Sequence, residues 1–319
     1  MKRVKTIWKV FLAIIIIIMG MLILIPVSAK NSKPLRCLIF YSNVKGVNSM
    51  IAQAAQKMET ELDGDDDIWL SVYQLGEESY SSFETKVDIA IELDADVLIL
   101  SGSAIERETD FQKLEENQIK LILVDGDMKE SGRCAYVGTD NQKAGQQGAD
   151  LLEKRFEDCA IGILSSSVNQ ENLNKSREER REGFGKRIEM LYSDFGENMK
   201  IDTERQCSLN SEKAVESIKD MIQTHPEINV LFCLDSASGI AAARAVKDMG
   251  KKEEIYIICF DMTTQVEKEI EEGGIDAVLV QNVDECAKGC IKILRELYQN
   301  PDSVKDRQDM FECNIITVD

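Results

Sequence analysis

The chain has 319 residues, 44% hydrophobic and 30% charged, the proportions of a globular protein with room for two domains. Acidic residues outnumber basic ones 57 to 38, and a net charge of −19 repels nucleic-acid phosphates and anionic membrane faces. The single histidine, His225, excludes a histidine-based metal cluster and would have to supply any histidine general base.

The chain starts with a basic segment (Lys2, Arg3, Lys5, Lys9) and an uncharged apolar run of 16 residues, 10–25. Pro26, Val27, Ser28 and Ala29 follow, with small residues where a signal peptidase reads. Residues 1–29 are therefore expected to be a leader cleaved after Ala29 or a retained anchor, with the body on the exported side. No cysteine stands directly after this run for lipid attachment, and Cys37 follows Pro34-Leu35-Arg36, the wrong context.

From residue 34 onward strands and helices alternate. Strand 35–41 ends in a polar rim loop, 42–49, before a helix over 50–62 with Ile51, Ala54, Ala55 and Met58 on one face. The acidic turn 64–67 lacks the later ligands and closing Glu of a calcium loop and reads as solvated. Strand 68–75, helix 83–93 and strand 95–100 follow, then the rim loop 101–105, helix 111–117 and strand 121–124 ending at Asp125. Strand 134–137 leads into helix 142–155, strand 160–164, a polar loop over 165–176 and a highly charged helix, 177–192. Helix 214–223 stops at His225-Pro226, and strand 229–233 ends at Asp235 before the alanine-rich helix 237–249.

The stretch 255–282 reads as strand, loop, helix, turn and strand. The β-branched run 255–260 matches a strand covered on both faces and ends at Asp261. Thr263 or Thr264 is placed to cap a helix running to Glu272, which Gly273-Gly274 ends. The run 277–280 then delivers Gln281 to the same sheet edge, where open α/β sheets bind ligands. By position alone, Asp261 could equally be a helix cap and Gln281 the start of a loop. A last helix covers 286–298. This alternation predicts an α/β fold with a mainly parallel sheet in each half.

Nine cysteines are scattered without CxxC spacing, and Cys37, Cys233 and Cys259 sit inside apolar runs, where thiols act as small hydrophobes. Cys286 and Cys290 stand one above the other on a helix, without two further ligands for a metal. Structural thiols are the expectation, with a disulfide or redox role as the alternative.

The ordered set of Val137 to Asn141 (VGTDN) with Gly145 and Gly148, Arg177 to Phe184 (REERREGF), His225 to Phe232 (HPEINVLF), 238–250, and Phe260-Asp261 followed by 273–281 resembles the type I periplasmic binding proteins of the ribose-binding, sugar-ABC-transporter kind. Their core is shared with LacI-type repressors, and the likeness spans roughly residues 35 to 300. It implies two Rossmann-like lobes with mainly parallel sheets, 35–139 with 282–310 and 140–281 with 311–319. Three crossover strands near 139, 281 and 310 would form the hinge, closing on a ligand held between the lobes. The resemblance carries the ligand-binding role onto Asp125, Arg180, Asp235, Asp261 and Gln281, with Asn43 and Ser103 from the rim loops. Carboxylates accept from adjacent hydroxyls, the arginine fork donates to two oxygens, and the glutamine amide does both. Taken alone, Arg180 would read as one solvated charge in a charged run, but its register with Gly183-Phe184 argues otherwise.

Four positions depart from the family pattern. The first rim loop (SNVKGVNS) has no aromatic residue to stack on a sugar ring, and Leu209 stands at the second-lobe platform. The family's asparagine is Asp235, and the arginine usual beside Asp125 is Gly126. A sugar or sugar-like ligand, another small polar or amine-bearing ligand, and a degenerate pocket serving protein recognition all stay open. The implied partner is an ABC permease or the outer domain of a sensor kinase, with membrane contact only through the N-terminal segment and no cofactor. A LacI-type regulator would need a basic helix-turn-helix where the apolar run stands. An enzyme would need a motif such as GxSxG, HExxH or a P-loop, none of which the chain contains.

Overall fold

Apolar runs with few polar interruptions become central strands, and in this computed structural model they build two six-stranded sheets. The structure describes residues 33–42, 49–75, 82–102, 105, 109–153, 155–156, 158–167, 171–195, 199–208 and 211–318. The leader or anchor over 1–29, and the site candidates Asn43 and Ser103 with Leu209, lie outside the described residues. Among the described residues no helix is long and apolar enough to cross a membrane.

The first half of the chain runs β1 (Leu35–Ser42), α1 (Met50–Glu61), β2 (Ile68–Leu75), α2 (Phe83–Glu92), β3 (Val97–Ser101), α3 (Gln112–Glu116), β4 (Lys120–Val124) and β5 (Ala135–Thr139). The second runs α4 (Asn141–Glu153), β6 (Cys159–Ser166), α5 (Glu171–Phe195), β7 (Met199–Cys207), α6 (Ser211–Thr224), β8 (Val230–Cys233), α7 (Ser236–Asp248), β9 (Tyr256–Phe260), α8 (Thr264–Glu271) and β10 (Ala277–Val280). Helix α9 (Val283–Gln299) and strands β11 (Arg307–Phe311) and β12 (Asn314–Thr317) close the chain.

Strand order is β11-β5-β4-β3-β1-β2 in one sheet and β12-β10-β9-β8-β6-β7 in the other. Every pair is parallel except β10–β12. The chain passes from the first sheet to the second between Thr139 and Asn141, returns after Val280 so that α9 packs on the first, and crosses again between Phe311 and Asn314. Each sheet is covered on both faces. Helices α1 and α9 cover one face of the first sheet and α2 with α3 the other. Helices α6, α7 and α8 cover one face of the second, α4 and α5 the other. Leu35–Asp319 holds together as a single compact unit.

All nine cysteines are buried free thiols. Burial pushes Cys134, Cys159 and Cys207 up to about 11 and Cys313 to about 12, so the reactive thiolate is disfavoured.

Two segments differ from the sequence reading. Strand β7, at the edge of its sheet, falls in a stretch with no predicted element, because its residues (MKIDTERQC) are mostly polar and those from 200 to 206 are exposed or half-buried rather than forming an apolar run. Helix α5 begins at Glu171, inside the predicted loop, because its polar first turns carry no apolar stripe to signal a helix. Helices α4 and α5 pack closely. A Cβ on Gly145 would collide with the Arg180 carbonyl, and one on Gly183 with the Gln142 carbonyl. Gly145 on α4 and Gly183 on α5 therefore fix the distance from which α5 presents Arg180.

Candidate functional site

Two aspartates occupy matching places in the two sheets. Asp125 follows β4 and Asp261 follows β9, each with positive φ, +53° and +67°. The Asp125 amide donates to Val137 O on β5 at 3.3 Å, and the Asp261 amide to Leu279 O on β10 at 3.0 Å. Aspartate tolerates this left-handed backbone better than most residues, and strain of this kind concentrates at functional positions. The turn aims both carboxylates off the ends of their strands. Helix capping falls to other residues: Thr263 Oγ1 accepts from Val266 N at 3.2 Å, and Asn282 Oδ1 from Glu285 N at 3.2 Å. Asp261 and Gln281 are thus left to bond each other.

Around Asp261 the side chains form a closed circuit. Arg180, with 5% of its surface exposed, donates through Nη1 to Asp261 Oδ2 at 3.4 Å and to Leu234 O at 3.0 Å. Its Nε donates to Asn141 Oδ1 at 2.9 Å, and the guanidinium lies 4.2 Å from the Phe260 ring centroid. Asn141 Nδ2 reaches the Thr139 carbonyl at 3.4 Å, and Thr139 Oγ1 donates to Gln281 Oε1 at 2.8 Å. Gln281 Nε2 then donates to Asp261 Oδ1 at 3.0 Å, closing the ring. Thr139 and Asn141 flank one crossing between the sheets, and Gln281 stands at another. The groups expected to meet ligand are therefore wired to the segments that join the sheets. The sequence quotes Thr139 and Asn141 inside VGTDN without a role. Their place beside the crossing was the available signal.

Asp125 faces this circuit from the first sheet. Burial raises its carboxyl to about 7, the Asp261 charge pushes the same way, and Arg180 with a hydrogen bond to Gln281 opposes. The Gln281 amide thus bonds Asp261 and lowers the Asp125 carboxyl from the other sheet. The loop bearing Asp125 is pinned by Arg133, whose fully buried guanidinium forks onto Asp127 and reaches Asp306 at 2.8 Å.

Asp235 is placed differently. Its Oδ1 accepts from Ser238 N at 2.8 Å and caps α7. Its Oδ2 takes Ser166 N at 2.8 Å, Ser166 Oγ at 3.0 Å and Arg177 Nε at 3.0 Å. Both oxygens are occupied within the lobe. Arg177, one turn before Arg180 on α5, is the partner the sequence reading passed over. Beside the pair lies a polar depression of about 290 Å³ bounded in part by Ser165, Arg177, Arg181, Glu204 and Gln206. Asp235→Ala is expected to remove a cap and leave Arg177 uncompensated. Urea unfolding should show a loss of about 3 kcal/mol, while the Asp261 circuit and its ligand response persist.

Residues 39–302 match the family model described as periplasmic binding protein domain. The chain belongs to this family. Among curated proteins, the D-allose-binding periplasmic protein of Escherichia coli (strain K12) is 22% identical over 162 residues, covering 50% of this chain and 49% of that protein. The ribose import binding protein RbsB of the same organism is 23% identical over 172 residues, covering 54% and 55%. The chain spans about half the length of the curated relatives it matches. Among solved structures, AraP, an arabinose-binding protein from Geobacillus stearothermophilus, superposes with a TM-score of 0.72 at 19% identity, over 89% of this chain and 97% of that one. XylFII in complex with LytSN superposes with a TM-score of 0.62 at 24% identity, over 89% and 98%. These structural likenesses are likenesses of fold, and they agree with two mostly parallel sheets flanked by helices.

Proposed function

We propose that this chain is an extracytoplasmic solute-binding protein that captures a small polyhydroxy ligand, a sugar or close analogue, between its two lobes and presents it to an ABC importer. The observation that carries this reading is the circuit Arg180–Asn141–Thr139–Gln281–Asp261 facing Asp125 across the junction of the sheets. Allose, ribose and arabinose in the names of its relatives support a sugar. So does charge. With Asp235 neutralised by Arg177, Asp125 and Asp261 stand against one arginine and one amide, and Asp125 titrates near neutrality. That balance suits a neutral ligand rich in hydroxyls better than an amine. No aromatic platform is needed where the Arg180 fork, the amide and two carboxylates supply directional bonds.

Binding would pull the lobes together about the crossings at 139–141, 280–283 and 311–314, and the partner would read the closed form. No bond is made or broken. Capture for a membrane sensor instead of an importer is the second reading, favoured by the likeness to XylFII in its LytSN complex. The basic, apolar start of the chain supports export.

A thermal-shift panel of pentoses, hexoses, polyols, amino sugars and small amines tests the reading. A cognate sugar at ~100 times its dissociation constant should add ~2.7 kcal/mol to stability, several degrees in Tm. A response only to amines would replace the ligand class. Silence across the panel would point to a pocket given over to protein recognition.

A further inference from the structure

Strand β7 carries an irregularity at the sheet end opposite the circuit. Ile201 pairs with Ile161 and Thr203 with Gly162, so Asp202 is the extra residue of a β-bulge, without a partner in the ladder. Bulges at sheet edges re-aim the side chain they release. Asp202 is turned toward the tight connection between α6 and β8, which holds His225 and Glu227. Asp202 Oδ2 lies 2.6 Å from His225 Nδ1, and Glu227 Oε1 lies 3.8 Å from the same nitrogen. The three donor atoms fall within 4.8 Å of one another. The frame beneath them is firm. His225 N donates to Met221 O at 2.9 Å, Ile228 N to His225 O at 3.2 Å, and Pro226 restricts the backbone between them. Lys200 Nζ meets Asp202 Oδ1 at 3.2 Å, which leaves Oδ2 directed at the imidazole.

We propose that Asp202, His225 and Glu227 form a binding site for one first-row divalent transition-metal ion, distinct from the ligand cleft. One nitrogen and two carboxylate oxygens suit zinc and its neighbours in the first row. Magnesium and calcium, which look for six or more oxygens, are poorly served by it. At metal–ligand distances of ~2.0–2.2 Å the donor atoms sit ~3 Å apart. The His225–Asp202 pair opens by a few tenths of an ångström, and the half-exposed Glu227 side chain closes by rotation. The ion takes the place of the proton between Nδ1 and Oδ2: a neutral imidazole shifts that proton to Nε2, an imidazolium gives it to solvent, and water fills the remaining positions. Two carboxylates beside one lysine leave a net charge of about −1 that attracts a cation. The bound ion clips the edge strand β7 to the α6–β8 connection. Counting histidines in the sequence missed this site, because two of its three ligands are carboxylates and the bulge brings Asp202 in from another element.

His225 is the only histidine of the chain, so its imidazole resonances are unambiguous in NMR spectra of the full chain. Zinc titrated into metal-free protein should shift them, remove the Nδ1 proton and saturate at one equivalent. Millimolar magnesium should leave them in place. By calorimetry, His225→Asn and Asp202→Asn should each weaken zinc binding at least ~10-fold, with Tm in the absence of metal reporting that each variant is folded. Zinc binding that leaves the His225 resonances unmoved, or that persists undiminished in the variants, would place the ion elsewhere and overturn the proposal. So would the absence of binding at ~100 µM zinc, a concentration at which a dissociation constant of ~100 µM would already register. If a variant does not fold, the imidazole titration of the unaltered chain decides alone.

Discussion

Arg180→Met is expected to abolish the response to ligand and, unlike a change at an exposed ligand contact, to lower stability by about 3 kcal/mol. The guanidinium is buried and holds three groups together: the Leu234 carbonyl, the Asn141 amide and the Asp261 carboxylate. Methionine fills much of the volume over Phe260 but offers no donor, so the carbonyl and amide lose their partner. Asp261 keeps Gln281 and a third of its side-chain surface in solvent, which limits the loss to the lower end of the range for broken buried pairs. Urea unfolding gives the stability change, and thermal shift with a cognate sugar gives the response. Asp261→Asn is the control, with loss of response at little cost in stability. A full ligand response in Arg180→Met would remove Arg180 from the site.

Asp125 should make the ligand-free protein less stable as pH rises through neutrality. Its folded pKa, about 7, lies above the ordinary carboxyl value of 3.8, so the folded chain binds the proton more tightly than the unfolded one. The stabilisation is complete below pH ~4 and is lost as pH climbs through ~7. The whole shift is equivalent to ~4 kcal/mol, and the little water that reaches this part-buried residue brings the expected loss to about 2 kcal/mol. Asp125→Asn should flatten this dependence and be the more stable protein at pH 8. Urea midpoints at pH 5, 6.5 and 8 measure it for both proteins. Parallel decline would place the titrating group elsewhere, with Glu179, also raised by burial, the next to replace.

Much of the fold is legible along the chain because its central strands are covered on both faces. The strands β1, β3, β4, β8, β9 and β10 stand out as apolar runs, and a polar residue marks each exit. Asp125 and Asp261 are recognisable for that reason: each follows such a run directly. Strand β7 was not legible, since an edge strand needs only one half-buried face. The polar opening of α5 was hidden likewise, since solvated turns need no apolar stripe.

The family resemblance set Arg180 beside Asp261, while the sequence by itself determined the α/β alternation, the strand ends that carry Asp125, Asp261 and Gln281, and the helix that carries Arg180. These follow from local periodicity and from short-range caps and turns. The tertiary structure alone decided which charges meet. It turned Asp235 inward to α7 and Arg177, tied Arg180 through Asn141 and Thr139 to Gln281, and set a bulged Asp202 against His225. The energy of a charge depends on its neighbours and on how much water remains around it, and both are settled only when distant elements pack.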